Sequence, residues 1–217
     1  LLTSLLPPFI LITSVLGSIL LGIATPTEAA GVGALGAILL ALSKSSLTRA
    51  NLTEAVETTT EITAMVFMIL LGSSIFSLVF RGFGGDDLIT GIFTELPGGA
   101  FGAVLVVMVI IFLLGFILDF IQITLVVVPI VGPALLMLGV DPIWLGIMIA
   151  INLQTSFLTP PFGFALFYLR GVAPDTLATK DIYKGVMPFI LIQLGVLIAL
   201  AIFPELVTAL PQAVYGN

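Results

Sequence analysis

The sequence predicts an all-α integral membrane protein, a polytopic helical bundle with a re-entrant helical hairpin and a proline-broken transmembrane helix. Three observations predict it. First, 59% of the 217 residues are hydrophobic and only 8% are charged, against about 25% charged in a soluble domain. Second, apolar runs near the ~20 residues that cross a bilayer recur along the chain. Third, two of those runs are interrupted by polar residues and prolines. The same composition narrows function. A net charge of −6 gives no basic face for nucleic acid. Zero Cys excludes disulfides and thiolate metal sites, and zero His removes the commonest general base and zinc ligand. No nucleophile–base pair is visible, so an enzyme is not expected. The chain opens on Leu1, inside an apolar run, as a piece of a longer protein would.

Taken in order, Leu5 to Ala24 is the first span, and Ala29 to Leu42 is a second apolar run. Thr48 to Glu61 is amphipathic and polar, and Ile62 to Phe80 is the third span. Leu88 to Leu96 reads as a short interfacial helix. Ala100 to Leu118 and Leu125 to Leu138 are the arms of a hairpin whose tip is Asp119 to Thr124; two full crossings give the same parity, and the short arms and polar tip favour the re-entrant form. After the turn Gly139-Val140-Asp141-Pro142, the segment 143–169 crosses once, broken by the polar stretch Asn152 to Pro161. Pro174 to Lys184 reads as interfacial, Met187 to Phe203 is the last span, and Pro204 to Asn217 is a tail. The chain thus divides into 1–99 (scaffold helices with interfacial segments), 100–171 (hairpin 100–138, broken helix 143–169) and 172–217. With this parity Lys44, Arg49, Arg170, Lys180 and Lys184 share one side and only Arg81 faces the other. The positive-inside rule makes the first side cytoplasmic and the hairpin open from outside. Trp144 and Tyr168 are candidate interfacial anchors.

Thr25-Pro26-Thr27-Glu28 reads first as a helix start. Thr25 is the N-cap, Pro26 sits at the first helical position and Glu28 reaches back, which makes a capping box; ion ligation by Glu28 is the rival reading. Ala29, Gly33, Ala37 and Ala41 then form a small-residue stripe suited to close helix packing. Asp119 is an ionisable group at membrane depth, costly unless it has a function or a partner. With Gln122 and Thr124 it offers oxygens suited to a hard cation such as Na+, and the plainer reading is a helix cap. Asn152, Gln154, Thr155, Ser156 and Thr159 supply more side-chain oxygens, and Pro160-Pro161 remove two backbone donors. Thr159, before a proline, is pushed toward extended backbone. Broken helices of this kind place half-helix N-termini toward anions and freed carbonyls toward Na+. A plain proline kink accounts for the prolines but not for the polar cluster before them.

Taken together these segments resemble one family. Gly22-Ile23-Ala24-Thr25-Pro26-Thr27-Glu28-Ala29-Ala30, then Gly115 and Asp119 with Pro129 and Pro133, then Gly139-Val140-Asp141-Pro142, then Thr159-Pro160-Pro161-Phe162-Gly163 occur in order. They are similar to the C-terminal half of the large membrane subunit of tripartite ATP-independent periplasmic (TRAP) transporters, the DctM type, over nearly the whole chain. The resemblance implies half of an inverted-repeat, elevator-type secondary transporter, multi-pass in the inner (plasma) membrane. It implies uptake of an organic acid with Na+ as coupling ion and no other cofactor. It also implies three protein partners: a periplasmic solute-binding protein, a small four-helix membrane subunit and the N-terminal half of the large subunit. Carried onto this chain, Asp119, Thr124, Asn152, Thr155 and Thr159 would neighbour Na+. Gln122, Gln154, Ser156, Pro160, Pro161 and Gly163 would face substrate, with half-helices starting near Leu125 and Phe162 toward its carboxylate. Thr25, Pro26 and Glu28 would be a structural cap. Gln154-Thr155-Ser156-Phe157 departs from a family stretch that often has Gly, and Phe164 and Phe167 suggest an acid with an apolar body. Two other classes use similar breaks: a channel, and a structural subunit of another transport complex.

Overall fold

The computed structural model describes residues 2–160, 163–174 and 177–215. Among the described residues the regular elements are helices. They are α1 (Leu2–Leu20), α2 (Pro26–Ser43), α3 (Arg49–Gly82), α4 (Gly85–Glu95), α5 (Gly99–Leu114), α6 (Phe120–Gln122), a π-segment (Ile123–Val127), α7 (Val128–Met137), α8 (Pro142–Leu158), α9 (Phe164–Val172), α10 (Thr179–Ile202) and α11 (Glu205–Tyr215). Pro26–Ser43, Arg49–Gly82, the run Phe120–Met137 and Thr179–Ile202 are each long and apolar enough to cross a bilayer. Gly85–Glu95 and Gly99–Leu114 form a pair bent by 116°. The expected all-helical, polytopic membrane architecture is what the structure shows.

The chain packs as two units, Leu1–Met65 with Gln212–Asn217, and Val66–Pro211. In the first, α2 begins as its sequence dictates. The Thr25 amide donates to Glu28 Oε2 at 2.8 Å and the Glu28 amide to Thr25 Oγ1 at 3.4 Å, closing the capping box. These bonds satisfy amides that no lipid tail can satisfy. Ala29 is fully buried. A Cβ at Gly33 would sit 3.4 Å from Val15 Cγ2, and one at Gly36 would overlap Leu11 Cδ1, so small residues let α1 and α2 approach. The polar segment Thr48 to Glu61 is not a separate interfacial piece. From Arg49 it is the first part of the 34-residue α3. No Gly or Pro falls between Arg49 and Leu71, so nothing ends the helix where its polarity changes.

In the second unit, the core gathers Phe93 of α4, Ala103, Val104, Val107 and Ile111 of α5, Ile123 of the π-segment, Ala134 and Leu135 of α7, and Leu145, Ile149 and Leu153 of α8. A smaller cluster joins Leu166 of α9 to Ile182, Val186 and Ile190 of α10. Turns fall at the punctuating residues. Gly98 and Gly99 hold φ of 90° and 58° before α5, Gly139 holds φ 85°, and Asp141 Oδ1 accepts from the Trp144 amide at 2.8 Å to cap α8. Only glycine takes such φ values without strain. Two expectations change. The segment Pro174 to Lys184 runs, from Thr179, into the last spanning helix, and the tail from Pro204 carries helix α11. Trp144 is half-buried, and its Nε1–H donates to the Leu200 carbonyl of α10 at 2.8 Å; Tyr168 is exposed. Trp144→Phe keeps an aromatic ring but removes the donor and part of the packed indole. It should lower the unfolding free energy by about 1–3 kcal/mol, read as an earlier melting transition of the purified transporter.

Candidate functional site

The hairpin breaks before its first ionisable residue. α5 ends at Leu114, and Gly115 to Leu118 form a turn before Asp119. A Cβ at Gly115 would overlap Ser156 Oγ, so α8 crosses there at glycine-only distance. Asp119 adopts extended backbone (φ −69°, ψ 155°) and is the N-cap of α6. Its Oδ1 accepts from the Phe120 amide at 2.8 Å, and Gln122 Oε1 accepts from the Asp119 amide at 3.3 Å. The second arm therefore starts at Phe120, not near Leu125, because Asp119 supplies the cap that starts it. Phe120 and Phe157 meet edge to face at 6.2 Å. Contacts at Gly115 and Phe120 thus bracket Asp119 and hold the hairpin tip beside the last turn of α8.

The polar stretch in α8 is helical through Leu158, and the break begins only at Thr159. Thr159 is extended (φ −86°, ψ 124°), as a residue before proline should be. Upstream residues keep their amide donors, so nothing forces them out of the helix. Asn152, Thr155, Ser156 and Thr159 stand at i, i+3, i+4 and i+7, one helical face. Asn152, Thr155 and Ser156 are buried. Asn152 Nδ2–H donates to the Met108 carbonyl at 2.8 Å, and Ser156 Oγ–H donates to the Phe112 carbonyl at 2.7 Å. These acceptors are one turn apart on α5, so the two bonds form a seam between α5 and α8. The Phe112 carbonyl is near the α5 C-terminus, where the Phe116 amide turns instead to Leu113. Ser156 satisfies a helix-end group that would otherwise lack a donor. Thr155 and Thr159 donate to the carbonyls four residues back, Ile151 and Thr155, at 2.8 and 2.7 Å.

The residues expected around one ion do not share one surface. Thr124 and Gln154 are exposed and line a groove of about 410 Å³ with Phe120, Val128, Gly146 and Phe157. Gln154 is two residues from Asn152, on the opposite side of α8. Asn152, Thr155, Ser156 and Thr159 thus form one group, Thr124 and Gln154 another, and Asp119 with Gln122 a third at the tip. Thr124 also lies in the π-segment. The Val128 amide bonds to Ile123, and Pro129 has no amide hydrogen, so the Thr124 carbonyl loses both donors that a helix would give it. Past the break, the Gly163 amide donates to the Thr159 carbonyl at 3.1 Å. A Cβ at Gly163 would overlap the Phe157 carbonyl oxygen. α9 starts at Phe164; the expected start at Phe162, and Pro161, lie outside the described residues.

Sequence reasoning missed the seam acceptors, which are backbone atoms of an apolar helix, and the π-segment. Pro129 five residues after Thr124 was the available signal for the latter. Gly115→Ala should force α5 and α8 apart and destabilise the protein by about 1–3 kcal/mol, measured by thermal unfolding. Gly146→Ala, in open space, should be neutral or better.

Comparison with known proteins is specific. The family model described as "Tripartite ATP-independent periplasmic transporter, DctM component" matches residues 1–206. The sialic acid TRAP transporter large permease protein SiaM of Vibrio cholerae is 29% identical over 98% of this chain and 49% of its own length. The ectoine/5-hydroxyectoine large permease UehC of Ruegeria pomeroyi is 32% identical over 94% of this chain and 47% of its own. The C4-dicarboxylate large permease DctM of Vibrio cholerae is 28% identical over 95% and 50%. The chain spans about half the length of these curated relatives.

Proposed function

Given that this chain belongs to the DctM family of TRAP transporter large permeases, we propose that it is part of a secondary transporter that carries a small organic acid across the inner membrane. Na+ is the coupling ion. The observation that carries this reading is the convergence of two helix breaks. The Asp119 tip is bracketed against α8 at Ser156 and Phe157, and α8 stops at Thr159 one turn later. A carboxylate, hydroxyls and loosened carbonyls at one level of a membrane protein suit a hard monovalent cation. Asp119 and Thr159 are the nearest candidates. Asn152 and Thr155 stand behind them; the Asn152 amide gives its N–H to Met108, which leaves Oδ1 as its acceptor end.

The substrate reading rests on the helix starts and the groove. α6 starts at the tip and α9 starts just past the break, so both direct partial positive charge toward the breaks, where an organic anion gains most. Thr124 and Gln154 offer hydrogen bonds within a groove otherwise lined by Phe120, Phe157 and aliphatic side chains, which suits an acid with an apolar body. Relatives named for sialic acid, ectoine and C4-dicarboxylates support a small organic acid as the class. A fused permease named DctMQ, an isethionate transporter of Oleidesulfovibrio alaskensis, supports partnership with a second membrane subunit. A periplasmic binding protein would deliver the acid, and the other half of the large subunit would complete the site. The hairpin and α8, joined by the seam, would move as one body in an elevator motion.

Uptake of labelled acid by vesicles carrying the whole system tests this. Asn caps helices as well as Asp, so Asp119→Asn removes charge without removing the cap. It should raise the Na+ concentration for half-maximal uptake by about tenfold, the effect of one lost charge-assisted contact. Unchanged Na+ dependence would sink the ion assignment. Uptake without the binding protein and without saturation would point to a channel.

A further inference from the structure

α10 carries a polar group remote from both helix breaks in sequence. Among the described residues, the Oε1 of Gln193 is buried and has no hydrogen-bond partner. Its level is set by neighbours on the same face of α10. Leu200, seven residues on, receives the Trp144 Nε1–H. Leu197, four residues on, shares a cavity with Met148 and Asn152. Ile190, three residues back, belongs to the cluster that Leu158 packs against. These neighbours put Gln193 level with the stretch of α8 between Asn152 and Leu158, which holds the fully buried Thr155.

The chemistry there is rich in acceptors. Each polar side chain of the α8 stripe gives a hydrogen to a carbonyl: Asn152 to Met108, Thr155 to Ile151, Ser156 to Phe112 and Thr159 to Thr155. Beside the second Nδ2–H of Asn152, what they leave is lone pairs. The Gln193 oxygen adds another, flanked by Ile190 and Leu197. Acceptors collected in an apolar layer call for a guest with positive charge density. We propose that Gln193 is a binding residue. With Thr155 it holds a small electropositive guest, a monovalent cation or an ordered water, between α10 and the polar face of α8. A cation would place α10 in the coupling machinery, which rests on the transport reading; a water would make Gln193 the polar link between the two helices.

The whole transporter in lipid nanodiscs, melted in sodium chloride and in choline chloride, tests this. Gln193→Leu should melt about 2 °C below wild type, and Gln193→Glu, which keeps an acceptor oxygen, should not. If the guest is Na+, the deficit vanishes in choline chloride, and half-maximal uptake needs about tenfold more Na+. If the guest is water, the deficit is equal in both salts and the Na+ dependence of uptake is unchanged. Should the Leu variant fail to assemble, Gln193→Met, closest to Gln in shape, serves the same comparison. A Leu or Met variant as stable as wild type, or more so, in both salts overturns the proposal, because removing a merely orphaned oxygen is neutral or favourable. Melting decides this even if the wild type transports nothing.

Discussion

The structure of the larger unit depends on a polar seam in an apolar solvent. Asn152 and Ser156 reach from α8 to the Met108 and Phe112 carbonyls of α5. Lipid offers no alternative partner, so a buried amide or hydroxyl either finds an acceptor in the protein or destabilises it. Van der Waals packing alone would let α5 slide along α8. Two bonds one turn apart fix both register and rotation, and Gly115 lets the helices touch at the end of that register. The seam thereby sets the position of the hairpin tip: once α5 is fixed on α8, Asp119 comes to the height of the Thr159 break.

The seam also explains why a stretch rich in helix-disfavouring residues stays helical. Thr and Ser compete with the backbone for hydrogen bonds, yet here they bond to carbonyls of their own helix or of α5. The backbone keeps its ladder until Pro160, whose ring forbids it. The break is therefore short and sharply placed. The π-segment is its counterpart in the hairpin, where a proline and a shifted register loosen the Thr124 carbonyl without opening the helix.

Legibility tracked the range of the interaction. The capping boxes at Thr25–Glu28 and Asp119–Gln122 involve side chains three residues from their targets, and the positive-φ glycines at Gly98, Gly99 and Gly139 act on their own turns. Local chemistry of this kind is readable from spacing. Thr159 was readable for the same reason. The continuity of α3 is not legible in its polarity, because only a breaker ends a helix. The division of the polar residues into a buried stripe and an exposed pair stays hidden as long as the stretch 152–161 reads as a break. Read as a helix, it separates Asn152 from Gln154 by itself.

By itself, the sequence determined that this protein lives in a bilayer, that it is helical, and which helix ends its caps, glycines and prolines mark. Water is excluded by composition, and backbone amides must then be satisfied locally by helix, cap or turn. Only tertiary structure decided which polar groups are spent on holding helices together and which remain for a guest. Trp144 belongs to α10, Ser156 to α5 and Thr124 to an open groove, while the Gln193 oxygen is left over. The physical reason is that a hydrogen bond across 44 or 56 residues leaves no periodic trace in the chain. Its acceptor is a main-chain carbonyl that every residue carries, and only the approach of two helices singles one out.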